Sequence, residues 1–257
     1  MNRREITLNC SCTILRITAA LLVTLLPMRA CWAMGDVADS GSGEAPPTFV
    51  ELTPELNLSV EKGLAALATL QTPDGSFGGP RYPKHVGITS LACLAFMADG
   101  HVPGRGKYAL QVERGLEFVL QSAQETGLLS ADNAHGPMYG HGFATLFLGE
   151  VYGMSSGSAS QSDPRVREVL VKAVRLIVNT QNREGGWRYH PVAFDADISV
   201  TICQIMALRS ARNAGLSVPK ATIDRAIAYV RQCQNPDRKS TRLNSSHSSV
   251  SRMPSSA

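Results

Sequence analysis

Apolar positions recur along this chain in four copies of one helical pattern. Each copy has them at offsets 0, 4 and 7: Val60/Leu64/Leu67, Val112/Leu116/Val119, Leu170/Val174/Ile177 and Ile223/Ile227/Val230. The copies follow one another at nearly regular spacing. The offsets bring three side chains onto one face of a helix. Copies one, three and four reach a glutamine at offset 11 (Gln71, Gln181 and Gln234), while copy two slips by one position to Gln124. A glycine turn with an aromatic follows, as Gly75-Ser76-Phe77 and as Gly185-Gly186-Trp187. A recurrence of this length predicts a repeat architecture, in which no unit buries its apolar face alone.

A second helix is predicted in each unit. The runs 88–93, 143–148 and 198–203 superpose with two equal steps along the chain and are apolar on nearly every side. The first helices instead carry Glu61, Lys62, Glu113, Arg114, Lys172 and Arg175. A helix apolar all round is expected to be buried and a charged one to lie outside. Each unit is therefore an outer helix, a turn and an inner helix. The expected fold is all-α, about three and a half hairpins, arranged as an open solenoid or as a ring around a cavity.

The ends read differently. Arg3 and Arg4, the apolar stretch 17–26 and Cys31-Trp32-Ala33 give residues 1–33 the look of an export signal, with a retained anchor as the alternative. The apolar run is too short for a comfortable membrane span. Residues 34–52, rich in Gly, Ser, Pro and acidic side chains, read as a flexible linker. The repeat domain then runs over 53–237. The serine-rich tail 238–257 has no apolar periodicity and resembles a translated short-read sequencing adapter. On that reading the repeat domain is cut within its fourth unit.

These ends change the charge argument. The whole chain holds 25 basic and 21 acidic residues, a net of +4. The signal and tail contain eight of the basic residues and one of the acidic ones, so 34–237 has 17 and 20, a net of −3. The basic balance of the whole is thus no argument for a nucleic acid or an acidic membrane surface. Cysteine behaves likewise. Only Cys93, Cys203 and Cys233 lie in the repeats, too few and too scattered for a disulfide framework. Cys93 and Cys203 are expected at equivalent core positions of inner helices.

Lys62-Gly63, Leu67, Gln71, Gly75 and Phe77, and then Gln181 to Trp187, resemble the glutamine–tryptophan repeats of squalene–hopene cyclases and protein prenyltransferase β-subunits. The stretches 138–145 and 187–215 look closer still to exported members of that superfamily from planctomycete-type bacteria. The resemblance covers about residues 55–237. It implies an α/α toroid with inner helices around an apolar cavity, here incomplete. In physical terms Gly75 and Gly185 let the chain leave a helix where a side chain would be strained. Gln71, Gln181 and Gln234 can bond free backbone groups of neighbouring turns, and Phe77 and Trp187 cover those contacts.

Candidate chemistry lies at the starts of the inner helices. Asp195-Ala196-Asp197-Ile198-Ser199 resembles the Asp-x-Asp-Asp-Thr motif of class II terpene cyclases, which implies Asp197 as proton donor with Asp195 beside it. Protonating an alkene needs crowded carboxyl groups, one held protonated. Ile198 stands where the third aspartate would be, and the other reading is that these aspartates cap the helix. His85, Tyr139, His141 and Tyr189 are candidate cavity residues, the two histidines alternatively bonding nearby backbone. Glu150 interrupts an apolar helix, either as a cavity residue or as an ion-pair partner of Arg188 or Arg209. The resemblance also raises zinc, through Asp, Cys and His. Yet His85, Cys93, His135, His141, His190 and Cys203 form no Cys-x-x-Cys or His-x-x-x-His pair, so no metal or other cofactor is predicted. Two functions follow as expectations. One is an exported protein with a cavity for an isoprenoid or other apolar small molecule, acting by cyclisation or transfer. The other is a non-catalytic exported repeat protein that binds a protein or carbohydrate partner.

Overall fold

The structure is a computed structural model that describes residues 53–131, 136–155 and 163–234. The signal, the linker, the serine-rich tail and His135 lie outside the described residues. Among the described residues seven helices follow one another: α1 (Pro54–Thr69), α2 (Val86–Ala98), α3 (Ala109–Gln121), α4 (Met138–Ser155), α5 (Pro164–Asn179), α6 (Ile198–Asn213) and α7 (Lys220–Gln232). No strand occurs among the described residues. The fold is all-α, as the periodicity predicts.

Two layers account for the packing. α2, α4 and α6 form an inner layer in which α4 touches both others, and α3 packs on α5 in the outer layer. The inner helices run parallel. Their N-terminal ends meet where Gly87 approaches Gly140 and where Tyr139 bonds Ser199, and their C-terminal halves meet where Gly149 lies against Ser210. A Cβ on Gly149 would fall 2.3 Å from the Ser210 hydroxyl, and one on Gly142 2.9 Å from Gln204. Only glycine lets α4 and α6 approach this closely. The outer helices α1 and α5 start alike. Thr53 and Asp163 accept the amides of Leu56 and Arg165, and a proline occupies the first turn of each, where no amide hydrogen is needed.

The repeat unit is joined by one recurring turn. Gly75, Gly127 and Gly185 all have positive φ, at 87, 89 and 99°. A Cβ there would come within 2.2, 2.5 and 2.2 Å of the carbonyl oxygens of Arg114, Lys172 and Arg225, each on the next outer helix. Two positions on, the amides of Phe77, Leu129 and Trp187 donate to Thr89 Oγ1, His141 Nδ1 and Thr201 Oγ1, at 2.8, 3.1 and 3.0 Å.

These bonds correct the expected register of the inner helices. Thr89, His141 and Thr201 are the equivalent positions, so the two steps between units are unequal, the second longer than the first. Helices this uniformly apolar match nearly as well after a slip of about one turn, and sequence alone chose the wrong match. Cys93 and Cys203 are therefore not equivalent, although both are buried. Burial pushes their thiols up, to about 12 and about 11.

Burial of the outer stripes also differs along the stack. Val112 and Val119, and Leu170, Val174 and Ile177, are buried as expected. Val60 and Ile227 are exposed instead. Among the described residues α1 and α7 have fewer neighbouring helices to cover them, and α7 turns Thr222, Ala226 and Tyr229 inward, one position ahead of the expected stripe.

Candidate functional site

The inner helices are not buried all round. Ile88 and Leu91 on α2 are 37 and 45 % exposed, and Ile202 and Met206 on α6 are 45 and 44 % exposed. On α4, Tyr139, Phe143, Leu146 and Glu150 are half-buried at offsets 0, 4, 7 and 11, one face of the helix. The apolar face expected to vanish into the core is thus open along one side of the layer.

Its N-terminal rim holds most of the predicted polar residues. Asp197 is buried and caps α6: its Oδ1 accepts the amides of Ser199 and Val200 at 2.9 and 3.2 Å, and the Ser199 hydroxyl by a short bond. The Tyr139 hydroxyl bonds the same Ser199 hydroxyl. The Tyr139 and Tyr189 rings lie 6.0 Å apart and tilted by 31°, with the Arg188 guanidinium 5.3 Å from the Tyr189 ring. Arg188 forms a salt bridge with Asp195, whose Oδ1 accepts the Ala196 amide. Ser199 thus links Tyr139 with Asp197, Arg188 links Tyr189 with Asp195, and the two tyrosine rings join the pairs. Burial, ahead of the opposing bond to Ser199, raises the Tyr139 hydroxyl above its ordinary range.

The two histidines serve the backbone. His85 caps α2, its Nδ1 accepting from Gly87 and Ile88, and its ring stands edge-on to Tyr82 at 5.6 Å. His141 is fully buried between layers: Nδ1 accepts the Leu129 amide, and Nε2 lies 3.3 Å from the Ala173 carbonyl of α5. Since Nδ1 accepts, the proton sits on Nε2 and points at that carbonyl. Burial lowers the His141 pKa to about 4, against a smaller raising effect of the Ala173 carbonyl. Glu150 stands near the far end of the open face. No ion pair joins it to Arg188 or Arg209 among the described residues.

The motif residues form a clamp between units. Gln181 Nε2 donates to the carbonyls of Gly185 and Thr222, at 2.8 and 2.9 Å, while its oxygen accepts from Arg225 Nε at 3.0 Å. Gln71 Nε2 reaches Gly75 and Gln111 in the same way, at 3.0 and 2.8 Å. Phe77 and Trp187 are buried beneath these turns, and the Trp187 indole donates to the Ile177 carbonyl at 2.7 Å. Gln234 is exposed just past α7, and the turn it would clamp lies outside the described residues. In unit two the clamp position is Ala123, at the same offset before Gly127, and Gln124 is exposed beside it.

Among the described residues no three of His, Cys, Asp and Glu come together, and His85 and His141 each use Nδ1 to accept a backbone amide. A cavity of about 360 Å³ lies elsewhere, on the outer side between α5 and the α6–α7 connection, lined by Arg167, Val171, Val174, Arg175, Val178 and Leu216. No helix among the described residues is long and apolar enough to cross a membrane. Sequence reasoning missed Ser199 as the link, Gly127 as the second turn and Thr89 and Thr201 as amide acceptors. Gly127 lacks the aromatic that marks the other two turns, and a threonine inside an apolar helix gives no signal of its own. Comparison with known protein families finds no match, and comparison with curated proteins finds none.

Proposed function

We propose that this chain is an exported helical-repeat protein of the squalene-cyclase and prenyltransferase type, whose inner layer binds an isoprenoid or other apolar small molecule. The parallel inner helices backed by outer ones match the layering of an α/α toroid, in which the inner layer faces the cavity. The observation that carries the proposal is the open apolar face of Ile88 and Leu91 on α2 and Ile202 and Met206 on α6, with the half-buried Phe143 and Leu146 of α4 between them. Apolar side chains left exposed in one continuous surface are a mark of a binding site.

Binding is favoured over acid catalysis at this face. A cyclase needs a carboxyl group that donates a proton to carbon. Asp197 Oδ1 is engaged as an acceptor by two amides and a hydroxyl, and Asp195 is held by Arg188. Asp195 is thus paired with a guanidinium, which favours its ionised form, and Asp197 Oδ1 serves as the α6 cap, the role that capping alone accounts for.

The test is binding of farnesol to the full chain, followed by fluorescence titration. Leu91→Glu, Ile202→Glu and Met206→Glu alter exposed positions and leave the packed side of the layer intact. Each is expected to weaken binding by at least about tenfold, since a charge must then be desolvated against the ligand. Farnesol bound equally well by folded variants, as checked by circular dichroism, would remove this face as the site. A protein or carbohydrate partner would then be the better reading.

A further inference from the structure

The hydroxyl chain at the rim of the open face has a fixed direction. Ser199 has one hydroxyl proton, and it goes to Asp197 Oδ1. The Ser199 oxygen can therefore only accept from Tyr139, so the Tyr139 proton points inward and its oxygen presents lone pairs to the rim. Bonds in such a chain polarise one another and make the terminal oxygen a better acceptor. The half-buried Tyr189 ring beside it narrows how Tyr139 can move.

The chain also stands at a definite place on the apolar face. Tyr139 begins the α4 stripe that continues through Phe143 and Leu146, and Ser199 begins the α6 stripe that continues through Ile202 and Met206. The hydrogen-bonded pair thus closes the N-terminal end of two adjacent apolar stripes.

We propose that Tyr139, oriented through Ser199 by Asp197, is the head-group acceptor of the open face and selects apolar ligands that end in a hydrogen-bond donor such as a hydroxyl. This rests on the reading of the inner layer as a ligand face and adds which end of the ligand is recognised and by what atom. Tyr139 is the contacting residue. Ser199 and Asp197 position it.

Two probes that differ only at the head test it: dodecan-1-ol, which donates, and methyl dodecyl ether, which only accepts. The full chain is expected to prefer the alcohol by about tenfold, the size of one hydrogen bond between neutral groups. Tyr139→Phe is expected to bring that ratio to about one while leaving the ether affinity unchanged. Ser199→Ala, which frees the Tyr139 proton to turn outward, is expected to lower the ratio, and Ser199→Thr to keep it. A ratio that stays high in Tyr139→Phe, or is already near one in the unaltered chain while both probes bind, overturns the acceptor role and leaves the apolar face standing. Failure of both probes to bind overturns the face reading and the acceptor role with it.

Discussion

Acidification should loosen this fold through His141. The ring is fully buried, Nδ1 accepts the Leu129 amide, and Nε2 faces the Ala173 carbonyl. Only the neutral ring with its proton on Nε2 satisfies both neighbours. A second proton on Nδ1 would set donor against donor and leave a charge in the core. The folded pKa is accordingly about 4, against about 6.5 in an unfolded chain. Below pH 6.5 the unfolded state therefore binds a proton that the folded state refuses. The stability contributed by the neutral ring is complete above pH 6.5 and is lost as pH falls through the folded pKa.

The magnitude follows from the shift. The whole loss is about 3 kcal/mol, and about 2 kcal/mol of it is gone by pH 5. That upper part of the window is the useful one, because the carboxylates with lowered pKa values, Glu117, Asp163 and Glu168 among them, titrate below it. Urea unfolding followed by circular dichroism between pH 7.5 and 5 should show the decline. His141→Thr installs the residue type found at the equivalent positions, Thr89 and Thr201, and keeps an acceptor for Leu129. It should be less stable than the parent at pH 7.5 by about 1 kcal/mol, the worth of the lost bond to Ala173, and flat down to pH 5. A parent already flat over this range, or an unchanged slope in His141→Thr, would refute the reasoning.

Two further outcomes are expected. Gln181→Ala should cost about 2 kcal/mol, because it strands the Gly185 and Thr222 carbonyls and the Arg225 guanidinium at once. Gln124→Ala, at an exposed glutamine outside the clamp, should stay within about 0.5 kcal/mol, and equal melting-temperature losses for the two would contradict the clamp. For Asp197, removal of the α6 cap in Asp197→Ala should cost about 1 kcal/mol in thermal unfolding, while Asp197→Asn, which keeps an oxygen for the Ser199 and Val200 amides, should cost clearly less. An asparagine as damaging as alanine would mean that the charge matters beyond capping.

The sequence displays the outer helices openly, because their charged and apolar sides alternate with a clear period. It displays the inner helices only as helices. A run apolar on every side carries no phase, so neither their register nor the side left open could be read from it, and the equal steps between them were a coincidence of composition. The rim was half legible: Asp197 was found as a candidate with Ser199 two positions on, but the bond from Ser199 to Tyr139 joins segments far apart in the chain, where no local pattern records contact.

Unit two shows what the repeat demands physically. It departs from its neighbours twice, with Ala123 where they have the clamp glutamine and His141 where they have threonine. Taken singly, each looks like decay of the motif. Together they preserve its function. In units one and three the threonine receives the turn amide, and a separate glutamine ties the turn to the next outer helix, through Gln111 on α3 or Thr222 on α7. In unit two one imidazole does both, receiving Leu129 on one nitrogen and reaching Ala173 on α5 with the other. The repeat thus requires that the turn amide be received and the next outer helix be tied, and not two particular residues, and meeting both with a histidine is what would make the middle of this stack sensitive to acid.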